Sequence, residues 1–137
     1  MLTNKDLYPR IVASKNFIDQ NYYKLLRLED ISREACISCY HFHRLFTCTY
    51  GKTPHEYLTL KRLHHAKILL QQEGISIKDI CFNVGFESIA SFSLLFRKRN
   101  GYAPQYYRNL AYFKNKLLKE QPARFIPHCI IENMAGK

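Results

Sequence analysis

The sequence predicts an all-α fold in which two helix-turn-helix subdomains are joined by a long linker helix. An internal repeat is the first indication, because residues 28–57 and 77–107 carry the same apolar pattern, with Phe42 matched by Phe92. Both copies also end in the same Gly-x-x-Pro segment, where one helix stops and the next starts. Finally, only residues 124–131 resemble a strand.

The first subdomain is predicted to cover residues 8–52 and to begin with two helices. Apolar residues at helical spacing mark the first, which has Pro9 in its first turn and ends near Asn21. The second covers residues 28–35, because acidic residues occupy its start, as the helix dipole favours. A tight turn at residues 36–37 then completes the first half of the motif.

A third helix completes the first subdomain. It is predicted to begin after Ser38, whose hydroxyl can accept a hydrogen bond from a free main-chain N–H of the first turn. It runs to about Tyr50, where Gly51 ends it by allowing the left-handed conformation that closes many helices. The sequence therefore predicts a complete helix-turn-helix before the linker.

The linker helix is predicted over residues 53–73. It opens with Thr53 as a capping residue and Pro54 at the first helical position, and it ends near Gln72, before Gly74. About nineteen helical residues span about 28 Å. The linker is therefore expected to act as a rigid strut between the two subdomains.

The second subdomain is predicted over residues 74–113. Residues 78–84 form its first helix, a turn follows at Gly85 and Phe86, and residues 88–100 form its second helix. A last helix opens at Ala103-Pro104 and runs to about Phe113. Residues 114–137 form a C-terminal tail to which no role is assigned.

Composition and charge narrow the function classes. The chain has 137 residues, a formal net charge of +10 and a pI near 9.5, which favours a phosphate-rich partner such as nucleic acid. Its five cysteines are an odd number and most of them lie in predicted helices, which fits the reducing cytoplasm better than secretion. It carries no signal sequence, no membrane-spanning run and no motif for catalysis or cofactor binding, so no enzyme activity, cofactor or membrane partner is expected.

The outer face of the third helix carries groups suited to DNA bases. Its core stripe is predicted as Phe42, Leu45, Phe46 and Thr49. The stripe about 200° around the helix comprises Tyr40, His43, Arg44 and Thr47. Arg44 can donate two hydrogen bonds to guanine, and the other three side chains can donate, accept or pack on a thymine methyl.

The equivalent face of the second copy is more apolar. It is predicted to comprise Ile89, Ala90, Ser91, Ser93, Leu94 and Arg97. Leu94 and Ala90 can touch thymine methyls but cannot form bidentate hydrogen bonds. We therefore expect the first motif to discriminate bases and the second mainly to position the protein on the backbone. The alternative is that Ile89 and Leu94 pack against the tail or another subunit.

Helix starts and cations supply candidate phosphate contacts. A capped helix start directs free main-chain N–H groups outward and attracts an anion. The predicted phosphate contacts are Ser38, Lys52, Lys61, Arg62, Ser88, Lys98, Arg99 and Arg108. Only the set as a whole indicates phosphate binding, because any single surface cation is more often simply solvated.

Two other functions are compatible with the same residues. A metal or thiol sensor is suggested by the cluster of Cys36, Cys39, His41, His43 and Cys48. Against it, helix geometry turns the two histidines about 200° apart, and a small buried cysteine is the simpler interpretation. A protein-interaction adaptor that docks through its apolar second helix and tail is the other alternative.

The segments REACISCYHFHRLFTCTYGKTPHEYL, KRLHHAKILL and IKDICFNVGFESIASFSLLFRKRNGYAPQYYR resemble the DNA-binding domain of AraC/XylS-type bacterial transcription regulators. The similarity covers about residues 8–110, and the pattern GF-x-S, F-x-x-x-F, G-x-x-P-x-x-Y-R carries it most specifically. The resemblance implies seven helices and two recognition helices that enter adjacent major grooves. It further implies double-stranded promoter DNA and RNA polymerase as partners, and action as an activator.

By position, the resemblance also implies which residues meet bases. They are Tyr40, His43 and Arg44 in the first recognition helix, and Ile89, Ala90, Ser91, Ser93 and Leu94 in the second. Ile89 and Leu94 depart from the family pattern, which more often has polar or basic residues there. Because no effector domain precedes residue 1, the chain is expected to resemble short, stand-alone members that bind as monomers.

Overall fold

The structure, a computed structural model, describes residues 4–120. Within that range the chain forms seven helices. They are α1 (Asn4–Asn21), α2 (Leu28–Ala35), α3 (Cys39–Tyr50), α4 (Pro54–Leu70), α5 (Ile77–Asn83), α6 (Ile89–Asn100) and α7 (Pro104–Glu120). The predicted all-α fold is confirmed, with one helix-turn-helix in α2–α3 and the other in α5–α6.

The first subdomain encloses an apolar core between α1, α2, α3 and the start of α4. Its buried members are Ile11, Ile18, Ile31, Ala35, Phe42, Phe46 and Leu58. The ring centroids of Phe42 and Phe46 lie 5.6 Å apart, and the ring of Tyr57 meets Phe46 edge-on at 5.7 Å. Burial of each phenylalanine contributes about 1.5–3 kcal/mol, so this core fixes which face of α3 points outward.

The second subdomain has its own core, which α4 shares. Its buried members are Leu63, Ala66, Leu70, Ile80, Cys81, Val84, Phe86, Phe92 and Phe96. α4 therefore places Leu58 in the first core and Leu63 in the second. Its 17 residues span about 26 Å, slightly less than the sequence predicted.

The structure corrects the predicted bounds of α1 and α7. α1 begins at Asn4, so Pro9 lies inside the helix rather than in its first turn. That position costs one main-chain hydrogen bond close to the helix start. α7 continues to Glu120 rather than ending near Phe113, because no glycine or proline interrupts the segment between them. The candidate strand at 124–131 lies outside the described residues.

The turns of the two motifs both contain a residue with positive φ, but the residue type differs. Cys36 follows α2 with φ of 55°, and the equivalent Gly85 follows α5 with φ of 103°. A Cβ on Gly85 would lie 2.7 Å from the carbonyl oxygen of Tyr22, so a side chain does not fit there. At the first turn Cys36 is exposed.

Candidate nucleic-acid interface

α3 and α6 begin and end in the same way. The hydroxyl of Ser38 accepts a hydrogen bond from the main-chain N–H of His41 at 3.3 Å, and Ser88 accepts one from Ser91 at 3.3 Å. Each helix has 12 residues and ends at a glycine in the left-handed conformation. The two candidate recognition helices are therefore matched in length and termini, as the repeat predicts.

The outer face of α3 presents the predicted polar and aromatic groups. Tyr40 is 79% exposed, and His43 and Arg44 are also exposed. Thr47 is half-buried, and its hydroxyl donates to the carbonyl of His43 at 2.7 Å. Thr49, predicted to face the core, is exposed instead. Its hydroxyl donates to its own helix, so the core stripe of α3 is narrower than predicted.

The chemistry available on this face is strong hydrogen bonding. A guanidinium such as that of Arg44 carries five N–H donors in a planar fork that fits the O6 and N7 acceptors of guanine. An exposed imidazole at His43 can donate or accept, depending on its protonation. The phenol of Tyr40 adds one further donor or acceptor. The face can therefore distinguish base pairs in a major groove.

The outer face of α6 is different in character. Leu94, which is equivalent to Arg44, is 69% exposed, and Ile89 is 39% exposed. Ala90, Ser91 and Arg97 are exposed, whereas Ser93 is half-buried. Among residues 4–120, nothing covers Leu94, so its packing against another part of that range is not observed. The face offers apolar contact, small hydroxyls and one cation.

The predicted phosphate contacts fall into two groups. Lys52, Lys98 and Arg99 are exposed, as are both capping serines. Lys61 is half-buried, and its ammonium lies 3.3 Å from Asp19. Burial alone acts to raise the pKa of Asp19, but hydrogen bonds from Tyr57 and Lys15 and the charge of Lys61 lower it below its ordinary value. Lys61 is therefore already paired with a carboxylate, which makes it a weaker candidate for a phosphate contact.

Two of the predicted phosphate contacts lie against main-chain carbonyls. Arg62 donates from Nε to the carbonyl of Tyr22 at 2.7 Å and from Nη2 to the carbonyl of Lys24 at 2.8 Å. Arg108 is only 9% exposed, and its Nε donates to the carbonyl of Leu70 at 3.0 Å. Main-chain oxygens therefore accept hydrogen bonds from both guanidinium groups, which holds both residues against the fold. Among the described residues, Nη2 of Arg108 is buried without a hydrogen-bond partner.

The cysteine and histidine cluster is spread around the first turn. Cys36 and Cys48 are exposed, and the thiol of Cys39 lies 3.2 Å from the hydroxyl of Ser32. Within residues 4–120, no group of three His, Cys, Asp or Glu side chains converges closely enough to hold a metal ion. No helix in that range has the length and apolar character needed to cross a bilayer.

Comparison with known proteins identifies relatives of this arrangement. Residues 31–110 match a helix-turn-helix domain family, which covers more than half of the chain. The lactose operon transcription activator of Staphylococcus xylosus is 32% identical over 115 residues, which make up 84% of this chain and 40% of that protein. The chain spans about 40% of the length of the first curated relatives it matches.

Solved structures show the same fold. An AraC-type transcriptional regulator from Chromobacterium violaceum superposes with a TM-score of 0.69 at 29% identity, covering 79% of this chain and 96% of the other. The DNA-binding domain of AdpA, solved with a target DNA, has a TM-score of 0.69 at 21% identity, covering 82% and 96%. The chain belongs to the AraC-type family of helix-turn-helix DNA-binding transcription regulators.

Proposed function

We propose that this regulator activates transcription by inserting α3 and α6 into adjacent major grooves of a promoter duplex. The observation that carries the proposal is the pair of matched, serine-capped helices, each with an exposed outer face. The net charge of +10 adds an attraction for the phosphate backbone that does not depend on base sequence. Two motifs in one chain cover about two turns of duplex, so neither a dimer nor a palindromic site is required.

The two helices divide the work of recognition in this proposal. Arg44, His43 and Tyr40 on α3 discriminate bases through hydrogen bonds. α6 has Leu94 where α3 has Arg44, so it contributes thymine-methyl contacts and orientation on the backbone. The result is a binding site with one sharply specified half and one loosely specified half.

Phosphate contacts in the proposal come from helix starts and exposed cations. The free N–H groups at the starts of α3 and α6 attract phosphate oxygens, since the positive end of each helix dipole lies there. Exposed Lys52, Lys98 and Arg99 add charge, with Lys61 as a weaker contributor because of its pairing with Asp19. Arg62 and Arg108 are left out because their guanidinium groups bind main-chain carbonyls.

Activation is the direction of regulation that the relatives favour. The Staphylococcus xylosus relative is named as a transcription activator. An asymmetric site occupied by one monomer leaves a defined face toward RNA polymerase, which we propose as the protein partner. The proposal assigns no catalytic role and no cofactor to the described helices.

Salt dependence of duplex binding tests the proposal. The probe is a labelled duplex recovered by selection from a random pool, titrated with protein between about 50 and 200 mM salt. A phosphate-bound regulator loses affinity steeply, and Lys52→Ala lowers the slope of log affinity against log salt by about 1. Lys116→Ala removes the same charge from the exposed end of α7 and should leave the slope unchanged. An adaptor would bind no duplex at any salt, and that result would overturn the proposal.

A further inference from the structure

Three parts of the molecule converge on the midpoint of α4. Arg62 lies between Leu58, which belongs to the first core, and Leu63, which belongs to the second. The loop after α1 approaches it from the first subdomain, and the Gly85 turn approaches it from the second. The main helix contacts of each subdomain are with its own helices and with α4. This junction is therefore where the relative orientation of the two motifs is decided.

Arg62 ties the linker to the first subdomain. Its guanidinium donates to two carbonyls of the α1–α2 loop, Tyr22 at 2.7 Å and Lys24 at 2.8 Å. The planar fork of arginine donates in two fixed directions at once, so the pair resists rotation of the loop about α4. Burial lowers the pKa of the guanidinium, with the charge of Glu87 opposing this shift, which agrees with a group drawn out of bulk water.

The second subdomain reaches the same guanidinium. The Arg62 Cζ lies 5.9 Å from the centroid of the Phe86 ring, within the range of a cation–π contact. A Cβ at Gly85 would lie 2.7 Å from the Tyr22 carbonyl oxygen and 2.8 Å from the Arg62 Nε. The absence of a side chain at Gly85 thus lets the turn of the second motif close directly over the hydrogen bond of the first.

Tyr22 completes the junction. Its ring stacks on the imidazole of His65 with centroids 4.1 Å apart and planes within 5° of parallel. Tyr22 is also packed against both apolar cores. The same residue therefore supplies the carbonyl that Arg62 binds and the ring that α4 holds one turn further along.

We propose that Arg62 is a positioning residue that locks the spacing and rotation of the two recognition helices, so that the protein accepts one separation between the two halves of its binding site. This inference rests on the proposed function, since it concerns binding by both motifs at once. Each added base pair moves one half by about 3.4 Å and about 35° around the duplex. With the Arg62 contacts in place, the two recognition helices cannot shift to match the longer site. Without those contacts, small movements of the α1–α2 loop and of the Gly85 turn can accommodate the added base pair.

A spacing series tests the proposal. The probes are the duplex selected by the wild-type protein and the same duplex with one or two base pairs inserted between its halves. Arg62→Met keeps an apolar stem against Phe86 but removes both donors. Arg10→Met is the matched control, because Arg10 also donates to a main-chain carbonyl, that of Cys36 at 3.2 Å, but within the first subdomain. Both variants remove one positive charge.

We expect the wild-type protein and Arg10→Met to lose about tenfold or more in affinity when one base pair is inserted, an effect on the scale of one mismatched pair. We expect Arg62→Met to lose less than about threefold on the same insertion. If Arg62→Met keeps the wild-type spacing preference, this proposal is overturned while the proposed function stands. If the wild-type protein binds no duplex at all, both fail together.

A second variant keeps the test decisive if Arg62→Met does not fold. Arg62→Lys retains the charge and the stem, but a single ammonium lacks the two-directional fork of arginine. Its thermal unfolding reports whether the fold survives, and its spacing tolerance should lie between those of the wild-type protein and Arg62→Met. A wild-type spacing preference in a folded Arg62→Lys, together with an unfolded Arg62→Met, would also overturn the proposal.

Discussion

α3 and α6 are built on one plan and present opposite chemistry to the outside. Their capping serines, their paired phenylalanines and their terminal glycines correspond one to one. Arg44 on α3 is nevertheless replaced by Leu94 on α6, and both side chains are exposed. The core and caps therefore fix where a recognition helix lies, whereas the outer positions are free to change what it recognises.

The interiors of the two subdomains also differ at one equivalent position. Leu58 completes the first core, and its counterpart Arg108 is buried in the second, where it donates to the carbonyl of Leu70. Tyr112 adds a hydrogen bond to the carbonyl of Gln72 at 2.9 Å. The second subdomain therefore uses polar groups of α7 to satisfy the carbonyls at the end of α4, as Arg62 of α4 does for the carbonyls that follow α1 in the first subdomain.

The largest expected effects come from the cores of the two subdomains and should be equal in the two regions. Phe42→Ala and Phe92→Ala each remove a fully buried ring, and each is expected to lower the free energy of unfolding by about 3–5 kcal/mol. Urea denaturation followed by far-ultraviolet circular dichroism measures both. A loss below about 1 kcal/mol in either variant would show that the two cores do not contribute equally to the free energy of unfolding.

The next largest effect is expected at Arg44 and distinguishes the outer face of α3 from that of α6. Arg44→Ala is expected to cost about 1–3 kcal/mol of binding free energy and to relax preference at one base position. The measurement is affinity for the selected duplex and for its single-base variants. A uniform loss across all variants would mean that Arg44 contacts phosphate rather than a base.

The caps should again behave alike. Ser38→Ala and Ser88→Ala each leave a main-chain N–H without its hydroxyl acceptor, and each is expected to lower stability by about 1 kcal/mol. Thermal unfolding of the two variants gives the comparison directly. If only one of them is destabilised, the other helix start has a different acceptor and the two caps are not equivalent.

A smaller effect is expected at Leu94. Leu94→Ala trims an exposed side chain, so stability should change by no more than about 0.5 kcal/mol. Base preference should change much less than in Arg44→Ala, because a thymine-methyl contact is lost but no hydrogen bond is removed. Selection with the variant protein checks this, and a consensus altered more than by Arg44→Ala would reverse the proposed division of work.

The smallest effect is a pH dependence at the junction of the two regions. Burial lowers the pKa of His65, and the charges of Lys61 and His64 act in the same direction while Asp19 opposes them. As the pH falls below about 6.5, the unfolded chain binds a proton at His65 before the folded protein does. The free energy of unfolding therefore decreases as the pH falls. His65→Phe keeps a ring for Tyr22 and should flatten this dependence between about pH 7 and pH 5. If the free energy of unfolding of His65→Phe depends on pH as steeply as that of the wild-type protein, this prediction is wrong.

The helices are predictable from the sequence, because capping residues, glycines and apolar spacing act within a few residues of one another. Ser38, Thr53 and Ser88 were recognisable as caps, and each accepts the expected main-chain hydrogen bond. The end of α7 was not recognisable, since nothing near Phe113 stops a helix.

The contacts of Arg62 and Arg108 could not be predicted from such local signals. Arg62 and Arg108 look like surface cations in the sequence, and only the folded chain brings the carbonyls of Tyr22 and Leu70, some 38–40 residues away, to their guanidinium groups. The exposed residues of α3 and α6 were predictable because the period of the helix places them opposite the phenylalanines. What they bind is a property of the partner, so it stays a prediction.

Selection of bound duplexes from a random pool, at a stated salt concentration, would show how the two recognition helices share the binding site. Two unequal recognition helices in one monomer predict a single asymmetric site of about two helical turns, with one half strongly specified and the other weakly specified. A palindromic site, or two halves specified with equal strength, would contradict the account.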